Sequence, residues 1–267
     1  EAQLKEDSIL WDPQHHELVP ADFEGFDVLI HLAGENIMGG RWTPEKKRKI
    51  KESRVMGTRI LCELISRLQS PPRLLISTSA IGFYGNRGNE IVSEDSPPGK
   101  GFLAEVCQKW EKATEPAIKR GIRVVKLRIG LVLSPKGGAL GKMLIPFKLG
   151  LGGKIGSGKQ WMSWISMDDL MGIFLHIIGR SEIQGAVNAV APNPVTNQTM
   201  TKVLGHALHR PTIFSIPTFA VSLIFGEMGN EMFLCSTRVA PNVLAQTGYS
   251  FLYPELDGAL NRMLGRK

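Results

Sequence analysis

The stretch that decides the fold is "LLISTSAIGFYGNRGNE", residues Leu74 to Glu90. An apolar run ends in Ser77, Thr78 and Ser79, and then Gly82, Gly85 and Gly88 come at even spacing. Strand followed by G-x-x-G-x-x-G is the spacing of a dinucleotide-binding loop. Such a loop must run into a helix whose N-terminus faces the phosphates. Here it runs into "NEIVSEDSPPGKG", where Pro97, Pro98, Gly99 and Gly101 predict a loop. The glycine spacing is therefore coincidental, and the stretch is a strand that delivers Ser79 to its carboxyl end.

Three further segments read as strands of the same kind: "DVLIHLAG" (Asp27–Gly34), "IRVVKLRIGLVLS" (Ile122–Ser134) and "GAVNAVA" (Gly185–Ala191). Continuous apolar, β-branched runs are expected of strands buried on both faces, as in a parallel sheet. Between them lie helices. One starts at Thr43-Pro44, with an apolar stripe at Ile50, Gly57, Leu61, Leu64 and Leu68, and is stopped by Pro71-Pro72. A second covers Ala104 to Arg120, ending at Gly121. A third runs from Ser166 to Ile178, with Ser166 and Asp169 spaced as a cap and Gly179 at its end.

Strand–helix alternation predicts an α/β fold, a Rossmann-like doubly wound parallel sheet. The glycine-rich segment Pro135–Trp164 breaks the rhythm and reads as loop. The part after Thr196 reads as short helices and turns. The expected division is residues 1–134 and 166–195 for the dinucleotide-binding domain, with 135–165 and 196–267 forming a small substrate or cap domain.

The 267 residues carry 43% hydrophobic and 21% charged side chains, an ordinary globular balance. Cys62, Cys107 and Cys235 are widely separated, so neither a disulfide framework nor a metal-ligand spacing is expected. The six histidines show no metal spacing either, and a packed residue accounts for His31. The longest apolar run, "TIFSIPTFAVSLIFG" from Thr212 to Gly226, falls short of the roughly 18–20 residues that span a bilayer. No membrane contact is expected, and the reading is of a cytoplasmic protein in a reducing compartment. The net charge of +7 concentrates in "EKKRKIKESR", Glu45 to Arg54, without interleaved aromatics, so no nucleic acid is expected. "GKIGSGKQ", Gly153 to Gln160, nearly spells a nucleoside-triphosphate loop, but Gln160 stands where a hydroxyl must hold magnesium and no strand leads in.

Taken in order, "DVLIHLAG", "SRVMGTRILCELI", "LLISTSAIGFYG", "VVKLRIGLVLSP" and "GSGKQWMSWISMDDL" resemble the extended short-chain dehydrogenase/reductase (NAD-dependent epimerase/dehydratase) superfamily. "HLAGENIMGGRW" and the tail from Arg210 to Leu260 resemble one atypical branch, the YfcH-like epimerase family. The resemblance covers essentially the whole chain. It implies a Rossmann domain that binds NADP(H), a small substrate domain, and hydride transfer to or from a small polar or sugar-like molecule. A weakly or non-catalytic nucleotide-binding protein, serving as a redox sensor or partner-binding module, is the alternative. The oligomeric state is left open.

Two departures shape these expectations. Family members open with a strand, a G-x-x-G-x-x-G loop and a helix, and "EAQLKEDSILWDP" resembles the segment just after their second strand. The pyrophosphate loop is therefore expected upstream of Glu1. The superfamily also pairs its strand-end serine with Tyr-x-x-x-Lys. Aligning the helix by Glu111 puts Leu103 at the tyrosine position and Cys107 at the lysine position. Ser79 and Tyr84, the nearest phenol, are then the expected catalytic residues. The expected cofactor contacts are Leu32, Ala33, Gly34, Arg54, Ser77, Arg128, Gly130 and Val132. Arg54 lies on the inward stripe of its helix, where a charge needs an anionic partner. Glu35 and Asn36 are candidates for ribose or substrate, and Asp168 and Asp169 for a helix cap. No metal is expected.

Overall fold

The computed structural model describes residues 18–265. The acidic opening segment, with His15 and His16, lies outside the described residues. A four-stranded parallel sheet forms from β1 (Val28–His31), β2 (Leu74–Ala80), β3 (Arg123–Ile129) and β4 (Gly185–Ala189), in that order across the sheet. Because side chains alternate along a strand, the sheet feeds two cores. Leu74, Ile76, Val125 and Leu127 face one cluster, and Leu75 and Val124 face another. That double burial is why β2 reads as an unbroken apolar run.

Helix α1 (Pro44–Ser66) covers the second face through Leu61, Leu64 and Ile65, and the Thr43 hydroxyl caps its start by accepting from Lys46 N–H. Helix α2 (Phe102–Lys112) packs beside α1. Helix α3 (Met167–Gly179) covers the other face through Leu170, Ile173, Phe174 and Ile177. The doubly wound α/β reading therefore holds: a Rossmann-like parallel sheet carries helices on both faces.

Three local readings change. The strand expected over Ile122–Ser134 breaks at Gly130, and Leu131–Leu133 leaves the sheet to pair with Trp164–Ser166. The break is a close approach. Gly130 N–H donates to Ala189 O, Leu131 N–H to Ser163 O, and a Cβ on Gly130 would lie 2.7 Å from both Ser163 O and Val190 Cγ1. The helix expected over Ala104–Arg120 is two helices, Phe102–Lys112 and Glu115–Lys119, where the Thr114 hydroxyl donates to Glu111 O and Pro116 opens the second. The segment expected as loop, Pro135–Trp164, contains a helix over Gly138–Lys148. Its Leu140, Leu144 and Phe147 join the core shared with β2 and β3.

Both phosphate-loop look-alikes resolve structurally. Gly88 does not lead into a helix; Ile91–Val92 instead pairs with Arg238–Val239. "GKIGSGKQ" forms a short strand, Gly153–Ile155, and a turn rather than a loop entering a helix. Among the described residues, no helix is long and apolar enough to cross a membrane.

Candidate functional site at the strand ends

The carboxyl ends of β1, β2 and β3 bring Leu32–Gly34, Ser79 and Gly130–Val132 to one edge of the sheet. Leu32 is 63% exposed, although it is apolar and immediately follows a sheet strand. Ser77 is buried within β2, in register with His31. Val132 is half-buried and pairs with Ile165.

Ser79 is held from below. Its hydroxyl donates to Glu111 Oε1 at 2.8 Å. Glu111 also receives two bonds from Arg128, Nε to Oε1 at 2.8 Å and Nη2 to Oε2 at 2.9 Å. The side chains of this pair are only 6% and 9% exposed. Arg128 Nη1 donates to the Tyr84 hydroxyl at 2.9 Å, and that hydroxyl donates to Asn188 Oδ1 at 2.7 Å. The Arg128 guanidinium also lies 3.6 Å from the Phe83 ring centroid. Burial lowers the Arg128 pKa, but the Glu111 bonds and charge outweigh it and the net direction is up. Burial raises the Tyr84 phenol, which has no exposed surface. Arg128 and Tyr84 are thus engaged inward, beneath the strand ends.

Glu111, Asn188 and the acceptor role of Glu94 toward Asn188 N–H were missed by sequence reasoning. One signal was available: Leu103, Cys107 and Glu111 recur every four residues on α2, and a buried acid on that stripe needs a basic partner.

The replaced positions on α2 are packed. Leu103 joins Trp42, Ile50, Phe102 and Met228 in an apolar cluster. Cys107 is buried against the strand end, and burial pushes its thiol up to about 11 against the opposing hydrogen bonds of Ala80 and Ser79. A Cβ added at Gly82 would lie 3.3 Å from Leu103 Cβ, so α2 sits close on this turn.

Arg54 comes from α1. Its Nη1 donates to Glu35 O at 2.9 Å and Ile50 O at 3.2 Å, and its guanidinium stacks 5.2 Å from the Trp110 ring centroid. The Glu35 carboxylate turns to Lys46, whose hydrogen bond lowers its pKa. Asn36 accepts from Met38 N–H. His31 is buried, bonds Thr58 Oγ1 at 2.9 Å, and is lowered by burial to about 4. Trp164 is a fully buried core residue, whereas Trp161 stacks on Arg238 at 4.1 Å.

The Ser166 hydroxyl caps α3 by accepting from Asp169 N–H, and Asp169 has a further role. Its carboxylate accepts from the Ser166 hydroxyl at 2.7 Å, from Leu252 N–H at 2.7 Å and from Tyr253 N–H at 3.1 Å, clamping the C-terminal segment to the helix start. Glu231 likewise reaches from the C-terminal part to accept from Phe102 and Leu103 N–H at 2.6 and 2.8 Å, capping α2.

Residues 10–189 match the NAD dependent epimerase/dehydratase family, and residues 216–263 match a domain of unknown function, DUF1731. The chain is 38% identical over 259 residues to the epimerase family protein Mb2239 of Mycobacterium bovis, covering 97% of this chain and 85% of that protein. It is 35% identical over 260 residues to the human epimerase family protein SDR39U1, covering 96% and 87%. A crystal structure of human SDR39U1, isoform 2, with NADPH superposes with a TM-score of 0.84 at 34% identity, over 90% of this chain and 82% of that chain.

Proposed function

The chain belongs to the NAD dependent epimerase/dehydratase family, and we propose that it binds NADP(H) and moves a hydride to or from a small polar or sugar-like substrate. The human relative solved with NADPH supports the cofactor. The strand ends fit such a molecule. Leu32 offers an exposed apolar surface beside Ala33 and Gly34, small residues that let a ligand approach the backbone. Gly130 and Val132 would flank the nicotinamide end. The segments 135–165 and 196–267 would close the cleft from the substrate side. When bound, the cofactor supplies or accepts the hydride.

The single observation that carries this reading is Ser79, fixed at the end of β2 by the buried Glu111–Arg128 pair. A hydroxyl held this firmly, its proton on Glu111, orients a donor group of the ligand, a hydroxyl or an amide N–H, without losing further rotamer entropy on binding. Arg128 and Tyr84 act from beneath: Arg128 orients Glu111, and Tyr84 with Asn188 holds Arg128. Neither need touch the ligand. The proton in the reaction would travel through the substrate's own hydroxyl and solvent, because Leu103 and Cys107 stand where the superfamily keeps its phenol and ammonium.

That same substitution favours a second reading, a nucleotide-binding protein with little or no turnover. Single-turnover oxidation of bound NADPH across a panel of aldehydes, ketones and sugars separates the two. Hydride loss at the nicotinamide absorbance with at least one carbonyl, abolished by Ser79→Ala, supports the enzyme. Tight NADPH binding with no oxidation by any carbonyl supports the second reading.

A further inference from the structure

Resting on the functional reading above, we propose that Arg54 is the recognition cation for a carboxylate or phosphate group of the substrate, replacing the cation that α2 lacks. The two arginines of the site differ in kind. Arg128 is compensated by a bidentate carboxylate and is turned inward. Arg54 forms no ion pair among the described residues, and its Nη1 donates to two backbone carbonyls. The neighbouring acid, Glu35, gives its carboxylate to Lys46. Nε and Nη2 of Arg54 have no acceptor among the described residues. A half-buried guanidinium with unused donors, whose nearest carboxylate acts on it only at a distance and is itself held by Lys46, is matched by an anion from outside.

The fold has made room for this group. A Cβ on Gly34 would lie 3.1 to 3.3 Å from Cζ, Nη2 and Nη1 of Arg54, so the guanidinium lies against the backbone just beyond β1. Trp110 of α2 supports it at 5.2 Å. The position is at the carboxyl edge of the sheet. Arg54 neighbours Cys107, which borders Ser79 and Ala80 at the carboxyl end of β2. A lysine at position 107 would have pointed a second cation at Arg54; a neutral thiol does not.

Ser79 adds a chemical demand. Its one proton goes to Glu111, whose oxygens also accept from Arg128, so Ser79 offers a ligand only lone pairs. Donors for a substrate oxygen must come from elsewhere, and Arg54 has them. A substrate carrying a carboxylate or phosphate near its reacting carbon meets both demands.

The test is calorimetric titration of oxamate, inorganic phosphate and neutral oxamide into the protein, with and without saturating NADPH. Wild type should bind at least one of the two anions and discriminate against oxamide. Arg54→Gln should weaken the anion by about tenfold or more, the scale of a hydrogen bond to a charged group. Gly34→Ala keeps the charge but displaces the guanidinium by a few tenths of an ångström, and should weaken the anion by a smaller factor. Matched melting curves exclude misfolding. Undiminished anion binding in Arg54→Gln, absence of anion binding in wild type, or a loss confined to NADPH would each overturn the proposal. The last would make Arg54 a cofactor contact. Failure of wild type to bind NADPH would sink the cofactor reading instead, and the unloaded titration would still decide Arg54.

Discussion

Truncating Glu111 to alanine should be among the most destabilising single changes near the site. The carboxylate is buried, meets Arg128 through two bonds of 2.8 and 2.9 Å, and accepts the Ser79 proton. Removing it leaves the Arg128 guanidinium, on a side chain only 6% exposed, without a counter-charge. Breaking a buried pair from one side costs about 3–5 kcal/mol. That is a large part of the roughly 5–15 kcal/mol typical of a folded domain. Arg128→Ala should fall at the upper end of the same range, because the Tyr84 hydroxyl and Glu94 O lose a donor as well. The double variant leaves no orphaned charge, so its cost should fall at least about 2 kcal/mol below the sum of the singles. Urea unfolding followed by tryptophan fluorescence measures all three as shifts of midpoint at constant slope. A cost for Glu111→Ala below about 1 kcal/mol, the value of a surface pair, would refute the reasoning. So would strict additivity.

Gly130→Ala should destabilise by about 1–3 kcal/mol through overpacking against Ser163 O and Val190, detectable as a lowered melting temperature. His31 stays neutral in the folded protein, with its pKa lowered by burial to about 4 against 6.5 unfolded. The unfolded chain therefore binds the proton first. Stability is full above pH 6.5 and is lost as the pH falls toward 4, by about 3 kcal/mol. Urea midpoints from about pH 7.5 down to about 4.5 should show this loss, and His31→Gln should lack that component. Cys62 and Cys107 are buried, with thiols pushed up by burial to about 12 and about 11. Both should react with a disulfide reagent at neutral pH only as fast as the protein opens, so rapid labelling of Cys107 in native buffer would contradict its placement.

The sheet was legible because its strands carry two-sided apolar runs that no helix of that length explains, as in "PRLLISTSA". The break at Gly130 was not, because its cause is the backbone of Ser163 and the side chain of Val190, far along the chain. The helix over Gly138–Lys148 was hidden by its own glycines and Pro146, and is held by burying Leu140, Leu144 and Phe147 rather than by propensity. At the site, Ser79 and Arg54 could be read from strand-end and helix-stripe positions. Glu111 could be placed on the helix, but its pairing with Arg128 depends on how α2 docks on β3. Asp169 looked like a cap, but Ser166 is the cap and Asp169 bonds its hydroxyl; the grip of Asp169 on Leu252 and Tyr253 reaches across 83 and 84 residues of chain and leaves no local trace.

If the strand ends hold NADP(H) with its reactive end between Ser79 and Arg54, a crystal structure of the protein grown with NADPH shows it most directly. The expected density is a dinucleotide along Leu32–Gly34, with the nicotinamide ring in contact with the Ser79 and Gly130–Val132 region and Arg54 beside it. A dinucleotide bound elsewhere, or a nicotinamide ring distant from Ser79 and Arg54, would contradict that placement.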